Sequence, residues 1–327
     1  MFANLSWLLA AHLKTSGPLS SPVPVAGVAP VVQAAAPAAA TPGFVFPNPA
    51  DFSWTDFDMH ASVVIGVGLV SLLYWYGVGP ARKKYNLSTE PVETWRVVSF
   101  VAAMAVMMGM SNGPIHHLSD YFLFSAHMVQ HLFYMQVFPP LLLLAIPAWL
   151  WRPLVAPRGV LATGRVLARP LVAFVISSFV MVCWHVPYFY ELAMRNHDLH
   201  IVQHLSFIVA SVIMWFPVIN PIPDVIEKPG PLVQMIYLFL TTLPMCLIGI
   251  IEAMAGSVLY PFYAEAPRVF AGVSALQDQV LGGLIMWVPG AMLPWFAIAR
   301  VFYNWYKSGE DGVRPVAGGV TAPVPRT

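Results

Sequence analysis

The residues best able to do chemistry in this 327-residue chain are its ten histidines, and two pairs of them repeat one pattern. His127-Met128-Val129-Gln130-His131 and His200-Ile201-Val202-Gln203-His204 both read His-x-Val-Gln-His. Residues four apart share a helix face, so each pair can aim two imidazoles at one point. Imidazole suits copper, zinc and iron, and thioether or thiolate donors favour Cu(I). Such soft donors accompany the histidines: Met128 and Met135, Cys183 beside His185, Met245 and Cys246, and the group Met104, Met107, Met108 and Met110. Most of these methionines are expected simply to fill gaps between helices. Both cysteines lie in apolar segments, so no disulfide framework is implied. Neither pentapeptide carries the glutamate of a His-Glu-x-x-His zinc protease.

The elements that must hold these donors are membrane helices. The chain is 58% hydrophobic and 9% charged, against roughly 25% charged in a soluble domain. Charges this sparse cannot cover a water-facing surface of that length, so lipid must cover much of it. The net charge of +1 gives no sign of a nucleic-acid partner. Seven spans, each near the length of about 20 residues that a bilayer requires, are expected. They run from Ala61 to Gly79, Trp95 to Asn112, Leu123 to Trp149, Leu171 to Tyr190, Val202 to Ile219, Leu232 to Ile251 and Leu276 to Phe302. Pro139, Pro140, Pro289 and Pro294 are the expected kink points, because proline removes a helix hydrogen bond. The fold class is therefore all-α, a polytopic bundle of seven transmembrane helices over residues 60–306. Residues 1–59 read as a Pro/Ala-rich extension, with an apolar stretch from Leu5 to Leu13 that is too short to span and Ala34–Ala40 near a potential signal cleavage point. Residues 307–327 read as an unstructured cytoplasmic tail.

Lys and Arg set the orientation. With the N-terminus outside and the C-terminus inside, all but Lys14, Arg195 and Arg268 of the 16 basic residues fall on the cytoplasmic side. The histidines take the other side. His60 opens the first helix, His116 and His117 sit in an outer loop, and His127 and His131 lie in the outer half of the third helix. His185 lies near the outer end of the fourth, His197 and His200 in the next outer loop, and His204 one turn into the fifth. Lone histidines such as His60, His116 and His197 are expected to do no more than bond a neighbour. The paired set, with His185 nearby, is expected to be functional, since polar groups at membrane depth are costly. Asp278, just inside the outer end of the last helix, could orient an imidazole from behind or cap a helix. The repeated pentapeptide suggests two related helix pairs, an internal duplication of a kind common in membrane proteins.

These runs resemble a known family. His127-x-x-x-His131 followed by Pro139-Pro140 and Pro147 is similar to the third-helix motif of the CtaG-type cytochrome c oxidase assembly factors of polytopic architecture. Trp184-His185-Val-Pro187 with Tyr190, the His200–His204 pair ending in Trp215, and Tyr260-Pro261-x-Tyr263 are similar to its next motifs. So is Asp278-Gln279-x-x-Gly282-Gly283-x-x-Met286-Trp287-Val-Pro289. The resemblance covers about Ser111 to Ile298 and is specific through the order of its motifs. It is distinct from the single-span copper chaperone that shares the name. It implies a non-enzymatic protein of the bacterial plasma (inner) membrane that helps to mature a haem–copper oxidase. The expected cargo is copper, as Cu(I), with no haem, and the expected partners are oxidase subunits and a periplasmic copper chaperone. His127, His131, His185, His200, His204, Asp278 and Met286 carry over as the expected metal-site positions.

Two other functions fit the same histidines. A b-type haem oxidoreductase would use transmembrane histidines as axial ligands, although pairs on one helix suit a small ion better. A copper transporter would need polar groups through the cytoplasmic halves of the spans, which are sparse there. A retinal protein is excluded by the lack of any lysine between Leu276 and Arg300.

Overall fold

In lipid, backbone N–H and C=O groups must be satisfied within the chain, and this chain meets that demand with helices. The computed structural model describes residues 44–55 and 57–313, and among them no strand occurs. The helices are α1 (Ala61–Lys84), α2 (Thr94–Asn112), α3 (Pro114–Tyr121), α4 (Phe124–Ala145), α5 (Ala148–Val155) and α6 (Arg158–Leu167). They continue with α7 (Pro170–His185), α8 (Pro187–Met194), α9 (His197–Ile219), α10 (Pro231–Met254), α11 (Pro261–Glu265) and α12 (Ala275–Val313).

Among the described residues α1, α2, α4, α9, α10 and α12 are each long and apolar enough to cross a membrane, and α6 with α7 makes a seventh span if that pair, bent by 77°, is taken as one. The protein is thus a multi-pass membrane protein of six or seven spans, and the expected count of seven rests on the bent pair. Five expected boundaries need correction, and the first is that α1 runs on to Lys84 rather than ending at Gly79. The fourth span does not reach Tyr190: Val186 precedes Pro187 and is driven to an extended conformation (ψ 125°), which ends α7 at His185. The third ends at Ala145 rather than Trp149, with Ile146 and Pro147 breaking the chain before α5. The fifth begins at His197, because Asn196 caps it by accepting the Leu199 N–H at 3.0 Å. The last runs on as helix to Val313, into the stretch expected to be unstructured. The expectations for residues 1–43, including the Leu5–Leu13 and Ala34–Ala40 stretches, lie outside the described residues.

Two packing devices set the frame of the site. In α4 the helix loosens to a π turn at Phe133–Val137, just before Pro139 and Pro140. Pro139 has no N–H for the Met135 carbonyl four residues back, and the buried Trp215 indole of α9 donates to that carbonyl at 3.1 Å. The proline pair therefore ties α4 to α9. In α10 and α12 the backbones touch at Gly249 and Gly283, where a Cβ on Gly249 would lie 2.6 Å from the Gly283 carbonyl oxygen. Only glycine permits that crossing, the small-residue contact typical of helices in lipid.

Candidate metal centre

The nitrogens of His127, His131 and His204 lie within 4.8 Å of one another, a grouping that no carboxylate and neither cysteine joins among the described residues. His127 and His131 project from the first two turns of α4 and are fully buried. His204 comes from the facing helix α9. The Nε2 atoms of His127 and His131 are 2.7 Å apart, and those of His204 and His127 are 3.4 Å apart. A tetrahedral ion bound at about 2.0 Å to each nitrogen would space them by about 3.3 Å, so His204 and His127 already stand at ligating distance.

Hydrogen bonding decides which nitrogen of His127 carries its proton. Tyr263 OH donates to the Ser119 carbonyl at 2.7 Å, which uses its single proton. Its oxygen can then only accept from His127 Nδ1, 2.8 Å away. His127 is therefore the Nδ1–H tautomer, with the Nε2 lone pair facing the other two imidazoles. A ligating histidine needs this arrangement. Burial pushes the Tyr263 hydroxyl well above the ordinary tyrosine pKa, so it remains a neutral acceptor. Tyr263 is held in turn by Arg268, whose guanidinium donates to the Tyr263 and Ala266 carbonyls. His131 Nδ1 has no partner, so no hydrogen bond resists a turn of that ring away from its close contact with His127.

His185 and His200 flank the trio. His185 Nδ1 donates to the Met181 carbonyl at 2.7 Å, and its Nε2 is buried without a partner. Its ring centroid is 5.7 Å from that of His131. His185 is thus also fixed with its Nε2 lone pair free, at the end of α7 that Pro187 cuts off. His200 Nε2 is 3.0 Å from His204 Nε2. The two His-x-Val-Gln-His segments therefore do converge, α4 supplying the buried half and α9 the half nearer the surface.

Asp278 bonds to the start of α4. The Asp278 carboxylate accepts the Phe124 N–H at 2.7 Å, the Ser125 N–H at 3.1 Å and the Ser125 hydroxyl at 2.5 Å. Leu123, at the N-cap of α4, offers no side-chain cap. Asp278 from α12 therefore caps the helix that carries His127 and His131, where the exposed N–H groups favour an anion. It orients the site through α4 and touches no imidazole. Met286 is fully buried on α12. Of the other thioethers, Met104 and Met107 line a cavity of about 360 Å³ that reaches His200 and His204.

Several participants escaped the sequence reading. Tyr263 lay in a quoted motif without a role, and Gln130 was read only as part of the pentapeptide. Gln130 donates to the Met110 carbonyl, and its amide lies 2.9 Å from the Ser119 hydroxyl, 3.0 Å from His116 Nδ1 and 3.1 Å from the Tyr134 hydroxyl. Glu252, in α10, is buried, takes the Tyr260 hydroxyl at 2.9 Å and leaves Oε2 unpartnered. An acid inside an apolar span is the signal that would have found it. His60 and His116, expected to act alone, are brought together with Nε2 atoms 2.7 Å apart. Burial holds the His116 pKa below the ordinary imidazole value, with the Asp120 carboxylate pulling the other way.

No curated protein and no solved structure matches the chain. A family model described as cytochrome c oxidase caa3 assembly factor (Caa3_CtaG) matches residues 72–308.

Proposed function

The chain belongs to the cytochrome c oxidase caa3 assembly factor family, and from that premise we propose that it carries copper, as Cu(I), on His127, His131 and His204 and passes it to an oxidase subunit. The observation that supports this most is the convergence of three imidazoles, those of His127 and His131 fully buried and that of His204 half-buried, with His127 already holding its proton on the far nitrogen. His185 and His200 are the adjacent donors through which the ion changes hands. The donor set carries no charge of its own. The cost of moving an ion into such a medium grows as the square of its charge, so a divalent ion costs about four times a monovalent one. That favours Cu(I) over zinc or Cu(II), and imidazole is an accepted ligand of copper.

A b-type haem would take His131 with His185 or His204 as axial ligands from opposite faces of a macrocycle, whereas the pairs four apart on one helix, His127 with His131 and His200 with His204, suit a small ion better. Transfer of an ion requires exchange between ligands and no bond-making on a substrate, so the protein acts as an assembly factor rather than an enzyme. The basic residues Arg82, Lys83, Lys84, Arg152, Arg158 and Arg165 lie toward the opposite ends of the spans from the histidines. By the positive-inside rule the histidine end faces outward from a bacterial inner membrane, where a periplasmic copper chaperone can load it.

The test is copper content of protein purified in detergent under reducing conditions, with His127→Ala/His131→Ala and His204→Ala beside wild type. One copper per chain in wild type, lost in both variants, supports the reading. Wild-type protein free of copper while a deletion strain still fails to assemble active oxidase would sink copper carriage and leave a scaffolding role.

A further inference from the structure

At the mouth of the cavity that reaches His200 and His204 stands a second group of donors, outside the trio. His60 is the N-cap residue of α1, and its backbone N–H is held by the Asn112 side chain at 2.8 Å. Asp58 is tied to the same residue, its N–H donating to the Asn112 carbonyl at 2.9 Å. The end of α2 therefore positions His60 against α3. There His116 Nε2 lies 2.7 Å from His60 Nε2 and 3.3 Å from the Asp120 carboxylate. Two ring nitrogens this close share either a proton or a cation. Asp120 then lies 3.8 Å from His200 Nδ1, and the other nitrogen of that ring is 3.0 Å from His204. From the partly exposed His60 to the fully buried His131, each donor is thus within 3.8 Å of the next.

We infer that His60, His116 and Asp120 form a second cation site at the mouth of the cavity, from which the buried site is loaded through His200. The inference rests on the buried-site reading above and adds its route of supply. The side chain of His60 is 24% exposed, and the exposed Asp58 carboxylate 3.7 Å away raises the local concentration of cations. In the trio, by contrast, His204 lines the cavity and His127 is fully buried against Tyr190 and Tyr263, with Tyr260 packed on Tyr190.

Donor number and tautomers give the path its direction. The Gln130 amide nitrogen lies 3.0 Å from His116 Nδ1 and has only two protons for that nitrogen, the Met110 carbonyl and the Tyr134 hydroxyl. Where it donates to Nδ1, the His116 proton sits on Nε2, between the other two donors. For His116 to ligate there, its proton must shift to Nδ1 and the Gln130 amide must turn its oxygen toward it. His127 needs no such change, because Tyr263 already holds its proton on Nδ1. With two imidazoles, one of them partly exposed, against three converging ones, the mouth site is the weaker and the buried site the tighter. An ion accepted at the surface runs downhill into the core.

The test uses the full-length protein in detergent, offered Cu(I) from its coloured bathocuproine disulfonate complex, with both the rate of uptake and the final stoichiometry read from the loss of colour. His60→Ala and Asp120→Asn are expected to fill the buried site at equilibrium but to load it about tenfold more slowly or worse, the scale on which a missing partner weakens a metal site. His60→Cys, which restores a donor, should recover the rate. His127→Ala/His131→Ala should lose tight binding and keep a weak, fast uptake that His60→Ala abolishes. Wild-type loading rates in both His60→Ala and Asp120→Asn would overturn the mouth site while leaving the buried site intact. Wild-type protein that takes up no copper at all would overturn the buried site, and its supply route with it.

Discussion

Replacing Tyr263 by Phe deletes one oxygen and tests whether His127 ligates through Nε2. That oxygen accepts the His127 Nδ1 proton at 2.8 Å, and its own proton goes to the Ser119 carbonyl at 2.7 Å. Without it the proton of His127 is free to move to Nε2, where it blocks the lone pair that faces His131 and His204. A single buried hydrogen bond biases such an equilibrium by about 1 kcal/mol, and partners behind metal-bound histidines contribute about 10–100-fold to affinity. Tyr263→Phe should therefore weaken Cu(I) binding by about tenfold or more, or at least about 1.4 kcal/mol. It should also lower stability by about 1–3 kcal/mol, because the Ser119 carbonyl is left buried without a partner. Tyr190→Phe is the control: its hydroxyl is 3.4 Å from that of Tyr263, too far for a strong bond, and its affinity should stay near wild type. Competition with a chromophoric Cu(I) chelator gives the affinities, and thermal unfolding in the same detergent gives the stabilities. A Tyr263→Phe protein that melts lower yet binds Cu(I) as tightly as wild type would refute the tautomer argument and with it the Nε2 ligation of His127.

Other perturbations separate ligands from supports. Asp278→Asn replaces the acceptor of three hydrogen bonds at the start of α4. It should lower stability by about 1–2 kcal/mol while copper stoichiometry stays the same; loss of copper without a change in melting would make Asp278 a ligand. His185→Ala removes a free Nε2 beside His131 and should speed the release of Cu(I) to a competing chelator, with unchanged release arguing that His185 stands outside the exchange path. Gly283→Val drives a side chain into the backbone of α10 at Gly249 and Ala253. It should lower the melting temperature far more than the same change at Gly66, where a Cβ meets nothing within 4 Å, and equal effects would remove the crossing argument. Free Cu(I) at a hundred times its dissociation constant should stabilise wild type by about 2.7 kcal/mol and leave His127→Ala/His131→Ala unmoved; a matching shift in that variant would put the ion elsewhere.

Residue type and spacing along the chain were enough to reveal helices in a membrane, because apolar length and the lack of charge are local properties. The grouping of His127 with His131, and of His200 with His204, was legible for the same reason: four residues make one turn of helix whatever surrounds it. Where helices end was less legible when the signal was a cap or a proline effect. Asn196 moves the start of α9 back to His197, and Pro187 cuts α7 at His185, both through single hydrogen bonds or steric contacts rather than through hydropathy.

The composition of the site itself lay beyond periodicity. That α4 faces α9, so that His204 joins His127 and His131, depends on the Met135 carbonyl freed by Pro139 and taken by Trp215 from another helix. Asp278 lies far along the chain from the helix that it caps, and nothing around it in sequence tells a cap from a ligand. The same holds for Tyr263, whose one proton and one acceptor oxygen decide the chemistry of His127, and for His60, which meets His116 only because Asn112 holds the start of α1. Sequence alone settles which residues share a turn of helix. Contacts between residues far apart along the chain, and the protons that those contacts position, exist only once the helices have packed.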